Sequence, residues 1–171
     1  ACHQFGFVER ADVLRFAARG AIFLLNSPYG PAAVWDRLPR SMQQRIIDLE
    51  LRLFVIDASR VADDVGLRGR TNTILQTCFF AISGVLPRDE AIARIKKSVA
   101  KAYGRKGGEI VRKNYAAIDA ALAHLFEVPV PGSATSTWER PPAVPAAAPR
   151  FVREVTARMM AGLGDEIPVS L

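Results

Sequence analysis

The chain has 171 residues, 50% of them hydrophobic, and a formal net charge of +6. This length supports one globular core and excludes the several domains that multi-cofactor redox chemistry usually occupies. No apolar run approaches the roughly 18 to 20 residues that span a bilayer, so we predict no membrane segment.

The two cysteines, Cys2 and Cys78, lie far apart in the sequence. This pattern is poorer than a disulfide scaffold or a zinc site requires, and it predicts a reducing, cytoplasmic location. The N-terminal Ala-Cys-His has neither an initiator Met nor the layout of a signal peptide, so we interpret it as a cut end.

The positive charge is concentrated in residues 88–113, which hold nine Lys or Arg and three acidic residues, so the rest of the chain is neutral. Such a patch can meet phosphate, an acidic protein or only water. Tyr103 is the one aromatic residue interleaved with it, and no nucleic-acid-binding spacing is present. We therefore predict no nucleic-acid partner and interpret the basic helix as a solvated face.

The first half of the chain alternates helical and strand patterns. Apolar spacing predicts a helix within 7–19, and a buried strand follows at 21–25. Helices are predicted from Pro31 to Leu38 and over 40–49.

A second strand, 53–56, leads into a helix at 60–65. Strands separated by helices indicate parallel pairing, so we predict an α/β fold with a small, mostly parallel sheet and covering helices.

The second half is predicted to be helical and then extended. Helical spacing covers 71–83, 87–103 and 109 to about 126. Residues 128–149 contain most of the chain's eleven prolines, which favours an extended strap, and 151–161 fits a short helix. We thus divide the chain into an α/β and helical part, 1–127, and a Pro-rich C-terminal extension, 128–171.

Two polar groups are candidate ligand sites. The first is the loop after the first strand, where Asn26 and Ser27 stand at the carboxyl end at which α/β sheets bind ligands. The alternative is that both residues only cap the helix that begins at Pro31. The second is formed by Arg68, Arg70, Thr71, Asn72 and Gln76.

In this second group a guanidinium precedes a helix N-terminus, a combination that binds phosphate or carboxylate. The alternative is that Thr71 or Asn72 caps the helix while Arg70 pairs with an acid. His3 and His124 have no neighbouring nucleophile, and Asp63 and Asp64 read as helix-surface acids. We predict no catalytic residue and no metal site.

The sequence also resembles the pyruvate:ferredoxin (flavodoxin) oxidoreductases, and the resemblance covers nearly the whole chain. It rests on segments in matching order and spacing: ACHQF (1–5), FLLNSPY (23–29), VIDA (55–58), GRTNTILQTCFF (69–80), SGVLP (83–87), KNYAAID (113–119), WERPPAVP (138–145) and GLGD (162–165).

This resemblance implies the later part of a gamma-type domain, on the coenzyme A side of a dimeric enzyme that converts pyruvate to acetyl-CoA. Thiamine diphosphate with Mg and the [4Fe–4S] clusters are implied on other domains or subunits, and ferredoxin or flavodoxin is the implied acceptor. The family's domain normally begins with a strand and a Gly-rich loop, which are absent before Ala1, so part of any coenzyme A site is expected elsewhere. The coenzyme A candidates carried over are Asn26, Ser27, Arg70, Asn72 and Gln76.

Two other functions remain open. One is an interaction module whose basic helix, including Lys96, Lys97 and Lys101, docks an acidic electron-transfer protein. The other is a stand-alone enzyme, against which the missing nucleophile and cofactor loop argue.

Overall fold

The computed structural model describes residues 1–170, which form an α/β fold. The elements are α1 (Gly6–Arg10), β1 (Ile22–Asn26), α2 (Arg40–Asp48), β2 (Arg52–Ile56), α3 (Ala58–Asp64), α4 (Asn72–Ser83), α5 (Arg88–Tyr103), α6 (Gly108–Ala123), β3 (Phe126–Val128) and α7 (Ala157–Met160). Short 3₁₀ turns cover Trp35–Arg37, Gly104–Lys106 and Gly164–Glu166, and a π-helical turn covers Val152–Thr156.

The sheet has the strand order β1-β2-β3. β1 and β2 are parallel, with Leu24 opposite Phe54, whereas β3 is antiparallel to β2. On the other side of β1, Cys2 forms a parallel bridge with Leu25. The prediction of a small, mostly parallel sheet is confirmed.

Both faces of the sheet are covered, because its inner residues are apolar and alternate between two clusters. Phe23, Leu25 and Val55 face a cluster that includes α2 and the N-terminal segment. Leu24 and Phe54 face the opposite cluster, built with α3, α4 and α6. α5 packs on α6 through a smaller apolar cluster. The helical second half therefore rests on one face of the sheet.

Three predicted elements were wrong in extent. The helix predicted within 7–19 ends at Arg10, because Ala11 is extended and the Asp12 carboxylate accepts a hydrogen bond from the backbone N–H of Leu14, which forms a turn. The segment after Pro31 forms turns and a single 3₁₀ turn instead of a helix.

The third is the last helix of the helical half, which ends at Ala123 instead of near Phe126. Phe126 belongs to β3, a strand that the sequence did not predict. The pairing of β3 with β2 and the bidentate ion pair of Glu127 with Arg52, at 2.8 and 2.9 Å, stabilise an extended backbone here.

The Pro-rich segment has neither helix nor strand over 129–149. It nevertheless contacts the rest of the chain, and so does the C-terminal turn, where Arg15 pairs with Glu166 at 3.2 Å. Between residues 1 and 170, no helix combines the length and the apolar character that crossing a membrane requires.

Candidate functional site

A cleft of about 740 Å³ opens where β1 and β2 end, the position at which α/β sheets collect ligands. Its walls come from the N-terminal segment, the two loops after the strands, α3 and the loop before α4. The lining residues are His3, Gln4, Phe5, Asn26, Ser27, Pro28, Asp57, Ser59, Arg60, Asp63, Asp64, Gly69 and Thr71.

Asn26 fastens the elements that form this cleft. Its side-chain amide donates to the backbone oxygen of His3 at 2.9 Å, and its side-chain oxygen accepts from the backbone N–H of Ala58 at 2.9 Å. Ala58 is the first residue of α3, so Asn26 satisfies a free N–H of that helix. The alternative role, a cap on a helix at Pro31, is not observed, and Asn26 joins three backbone segments instead.

Ser27 is almost completely buried beside Asn26, at 1% exposure. Its hydroxyl oxygen accepts from the backbone N–H of Tyr29 at 3.0 Å, and its own backbone N–H donates to the oxygen of Ile56. The hydroxyl therefore shapes the loop, and within residues 1–170 its proton has no hydrogen-bond acceptor.

The second predicted group is divided between two hollows. Asn72 and Gln76 line a neighbouring hollow with Phe79, and His3 lines both this hollow and the cleft. Arg70 lies between Gly69 and Thr71, which line the cleft, and is itself exposed. The structure thus brings Asn26 and Ser27 together in the cleft and places Asn72 and Gln76 in the neighbouring hollow.

The alternative role of Arg70, an ion pair with an acidic residue beside a capped helix, is not observed in residues 1–170. Thr71 makes no capping hydrogen bond at the start of α4. No acidic group of that part of the chain lies within ion-pair distance of Arg70. Its guanidinium therefore remains available for an anion from outside this segment.

The α3 wall of the cleft is acidic, which restricts where an anion can lie. Asp57, Asp63 and Asp64 line it together with one cation, Arg60. Asp57 also caps α3 by accepting from the backbone N–H of Arg60 at 3.0 Å. A phosphate is disfavoured along this wall by its negative charges.

A second cavity of about 240 Å³ adjoins the cleft and shares Asp57, Asp64 and Arg60 with it. Tyr29 and Phe126 give it a partly aromatic lining, and His124 stands at its edge. Tyr29 is held by an edge-to-face contact with Phe5, with the ring centres 5.1 Å apart. This cavity can take a flat or apolar group next to the polar cleft.

Sequence reasoning missed several lining residues. Asp57 directly follows the second strand and Arg60 lies in the first turn of α3, so the strand-end rule that selected Asn26 could have found Asp57 as well. His3 reaches the cleft only because its neighbour Cys2 pairs with Leu25 of β1. No local pattern signals that long-range bridge.

Neither cysteine has the environment of a nucleophile. Burial raises the pKa of the Cys78 thiol to about 12, and burial also raises the pKa of Cys2. A protonated thiol is a poor nucleophile. Across residues 1–170, His, Cys, Asp and Glu side chains form no group of three or more that could hold a metal ion.

Comparison with known proteins gives consistent matches along the chain. A family model described as pyruvate ferredoxin/flavodoxin oxidoreductase matches residues 5–124, and one described as a domain of unknown function matches residues 134–171. The pyruvate-flavodoxin oxidoreductase of Rhodospirillum rubrum is 55% identical over 99% of this chain and 14% of its own length. The corresponding Nostoc sp. protein is 47% identical, over 99% of this chain and 15% of its own length.

A relative named for a different acceptor is also similar. The pyruvate:ferredoxin oxidoreductase of Moorella thermoacetica is 41% identical over 99% of this chain and 14% of its own length. The chain therefore spans about one seventh of these relatives.

Proposed function

The chain belongs to the pyruvate ferredoxin/flavodoxin oxidoreductase family, and on that premise we propose that it works as a segment of a larger enzyme that oxidises pyruvate. That enzyme decarboxylates pyruvate, passes electrons to ferredoxin or flavodoxin and forms acetyl-CoA. The observation that carries this proposal is 55% identity with a pyruvate-flavodoxin oxidoreductase over 99% of the chain.

The redox cofactors are assigned to other parts of that enzyme. A [4Fe–4S] cluster takes four thiolates, whereas this chain has two cysteines, Cys2 and Cys78, both buried and in different core clusters. The residues of this chain therefore do not fit a cluster. Thiamine diphosphate with Mg, and the clusters, are assigned to other domains or subunits, and the whole enzyme to a dimer.

The role of this segment is to shape the coenzyme A side of the active site. Coenzyme A carries phosphates at one end, and the exposed guanidinium of Arg70 can bind a phosphate beside the N-terminus of α4. Ser27 offers a hydroxyl proton inside the cleft, and Asn72 and Gln76 offer amides in the neighbouring hollow. Asn26 acts by holding the cleft walls together.

A hybrid enzyme tests the proposed function. The matched segment of the Rhodospirillum rubrum enzyme is replaced by this chain, and coenzyme-A-dependent oxidation of pyruvate is measured with flavodoxin as acceptor. We expect activity within about tenfold of the parent, which corresponds to a loss of no more than roughly 1.4 kcal/mol in stabilisation of the transition state.

The control is a second hybrid in which the Rhodospirillum segment is put back through the same junctions, so that damage from the junctions is visible. A first hybrid that folds and carries all its cofactors, but oxidises no pyruvate, would contradict the proposal. Pyruvate oxidation by the 171-residue chain alone would contradict the assignment of the chemistry to other domains.

A second candidate function rests on the exposed surface of α5. Lys97 and Lys101 of α5 are followed at the same interval of four residues by Arg105 of the next 3₁₀ turn. All three are exposed, and we name them the basic stripe. Among the described side chains none of the three has an ion-pair partner, whereas Lys96 pairs with Asp119 at 2.7 Å. Like charges four residues apart cost a helix roughly 0.2–0.5 kcal/mol per pair. An acidic protein surface would offset this repulsion, which fits docking of an electron-transfer partner.

Charge reversal in the hybrid enzyme tests the basic stripe. The double variant Lys97→Glu, Lys101→Glu should raise the KM for flavodoxin, and the effect should shrink with added salt. The control Arg10→Glu, Arg45→Glu makes the same change in net charge on α1 and α2. Equal KM values in the two double variants would exclude docking by the stripe.

A further inference from the structure

The Pro-rich segment is attached to the N-terminal end of α2 by residues 134–139, a stretch that we name the strap contact. It crosses the point where the 3₁₀ turn at Trp35–Arg37 passes into α2. Ser136 in its middle is buried, at 6% exposure. A segment without helix or strand therefore has a well-defined position.

Gln43 is the centre of this attachment. It is completely buried, and its side-chain oxygen accepts from the backbone N–H groups of Thr135 and Ser136, both at 2.8 Å. Its side-chain N–H₂ donates to the backbone oxygen of Trp35 at 2.7 Å. One buried amide thus joins the strap, the turn and the helix, and it uses both its donor and its acceptor.

Arg40 binds the strap carbonyls next to Gln43. Its guanidinium donates to the backbone oxygens of Ala134 at 3.1 Å and Ser136 at 3.3 Å. The backbone N–H of Arg40 donates to the oxygen of Trp138 at 2.9 Å. Because these contacts reach main-chain atoms, they recognise an extended backbone more than its side chains.

Two side-chain contacts fix the register. The indole N–H of Trp35 donates to the Thr135 hydroxyl at 3.1 Å. At the other end, the Glu139 carboxylate accepts from the Ser41 hydroxyl at 2.6 Å and from the Ser41 backbone N–H at 3.1 Å. Ser41 lies in the first turn of α2, where a negative charge is favoured by the helix dipole.

On the strap side the attachment is polar, whereas Trp35 on the opposite side belongs to the apolar cluster of α2 and the N-terminal segment. The apolar clusters formed by residues 1–170 include Val128 and Val130 but no residue of 134–139. Loss of the strap contact would therefore leave the apolar core of residues 1–130, which we name the body, in place. It would expose the buried polar groups around Gln43.

We propose that the N-terminal end of α2 is a binding site for an extended peptide, and that residues 134–139 of the same chain occupy it as a releasable latch. The latch sets the direction in which the chain continues from residue 140, so it controls where the following segment lies. This inference does not depend on the assigned reaction or on coenzyme A.

Amide hydrogen exchange and the indole resonances of the 171-residue chain test the latch. The chain has two tryptophans, so the Trp35 N–H is resolved from one other indole signal. The variant Gln43→Met keeps a similar volume and removes the acceptor. We expect exchange at Ser136 to become at least tenfold faster and the Trp35 indole signal to shift, while amides of α4 and α6 keep their protection.

The matched control is Gln44→Met. Gln44 is the neighbouring residue and is exposed, and among the described residues its side chain bonds only to Asp48 of the same helix, at 2.8 Å. The variant Gln44→Met should leave the rate of amide exchange at Ser136 unchanged. A strap-side variant, Thr135→Pro, removes the N–H that binds Gln43 and the hydroxyl that binds Trp35 without altering the body. This variant replaces Gln43→Met as the test if Gln43→Met fails to fold.

Unchanged protection of Ser136 in a folded Gln43→Met or Thr135→Pro variant would overturn the latch. Unfolding of the whole chain by both variants would also overturn it, because the strap would then be part of the core. If the parent protein forms a concentration-dependent dimer that alone protects Ser136, the occupant is a second copy and the proposal for the same chain is wrong.

Discussion

The side-chain oxygen of Asn26 accepts a hydrogen bond from the backbone N–H of Ala58 at 2.9 Å. This bond ties the carboxyl end of β1 to the first residue of α3, and the same side chain also binds the N-terminal segment at His3. Asn26→Ala should therefore reduce the free energy of unfolding by roughly 1–3 kcal/mol, because it leaves backbone groups without partners.

Denaturant unfolding of the 171-residue chain measures this effect, and Asn72→Ala is the matched control. Asn72 is exposed and should change stability by no more than about 0.5 kcal/mol. Equal effects of the two variants would show that Asn26 does not hold the cleft walls.

The ends of α4 and α5 give a second prediction, on stability. Gly84 ends α4 with φ of +68°, a conformation that costs other residues roughly 1–2 kcal/mol. Gly104 ends α5 with ordinary helical angles and open space at its Cβ position. Gly84→Ala should destabilise the chain by about that amount, and Gly104→Ala should stabilise it by about 0.4–1 kcal/mol. Denaturant midpoints that shift in the same direction would contradict this difference.

Elements with strong local signals were predicted well from the sequence. β1, β2, α2, α4 and α5 lie within one or two residues of their predicted bounds, because apolar runs and helical spacing are local. β3 was missed because its three residues are held mainly by their pairing with β2. The helix predicted within 7–19 ends early because the turn at Asp12 outweighs the apolar spacing.

The candidate site shows the same difference between local and long-range signals. Asn26 and Ser27 line the cleft, a position that follows from the recognisable strand before them. His3 and Gln43 were not found, since their positions depend on contacts with residues far away in sequence. All five coenzyme A contacts remain predictions, namely Asn26, Ser27, Arg70, Asn72 and Gln76, and so does the division of the chain at residue 127.

Thiol chemistry gives a third prediction, on pH. The pKa of Cys78 is raised from 9.0 to about 12, so between these values the unfolded chain loses this proton and the folded chain keeps it. Stability should therefore fall as pH rises from about 9 towards 12. The variant Cys78→Ala should lose this part of the pH dependence, measured by denaturant unfolding between pH 8 and 10.5. An identical slope in parent and variant would contradict the raised pKa.

Glu139 gives a fourth prediction, at acid pH. The hydroxyl and backbone N–H of Ser41 hold the pKa of its carboxyl below the usual value. Its contribution to the strap contact is therefore present above the unfolded pKa and is lost as pH falls through the folded one. The Trp35 indole resonance should shift on acidification, and in Glu139→Gln this acid-dependent component should be absent. The same titration curve in both proteins would show that Glu139 does not control the contact.

The central claim, that this segment forms the coenzyme A side of a pyruvate oxidoreductase, is tested most directly by the KM for coenzyme A in the hybrid enzyme carrying Arg70→Ala. Loss of a charge-assisted hydrogen bond costs roughly 1.5–3 kcal/mol, so this KM should rise by about tenfold or more. The KM for pyruvate should stay constant, and Arg45→Ala, an exposed arginine on α2, should change neither value. A KM for coenzyme A that is the same in Arg70→Ala and Arg45→Ala would contradict the claim.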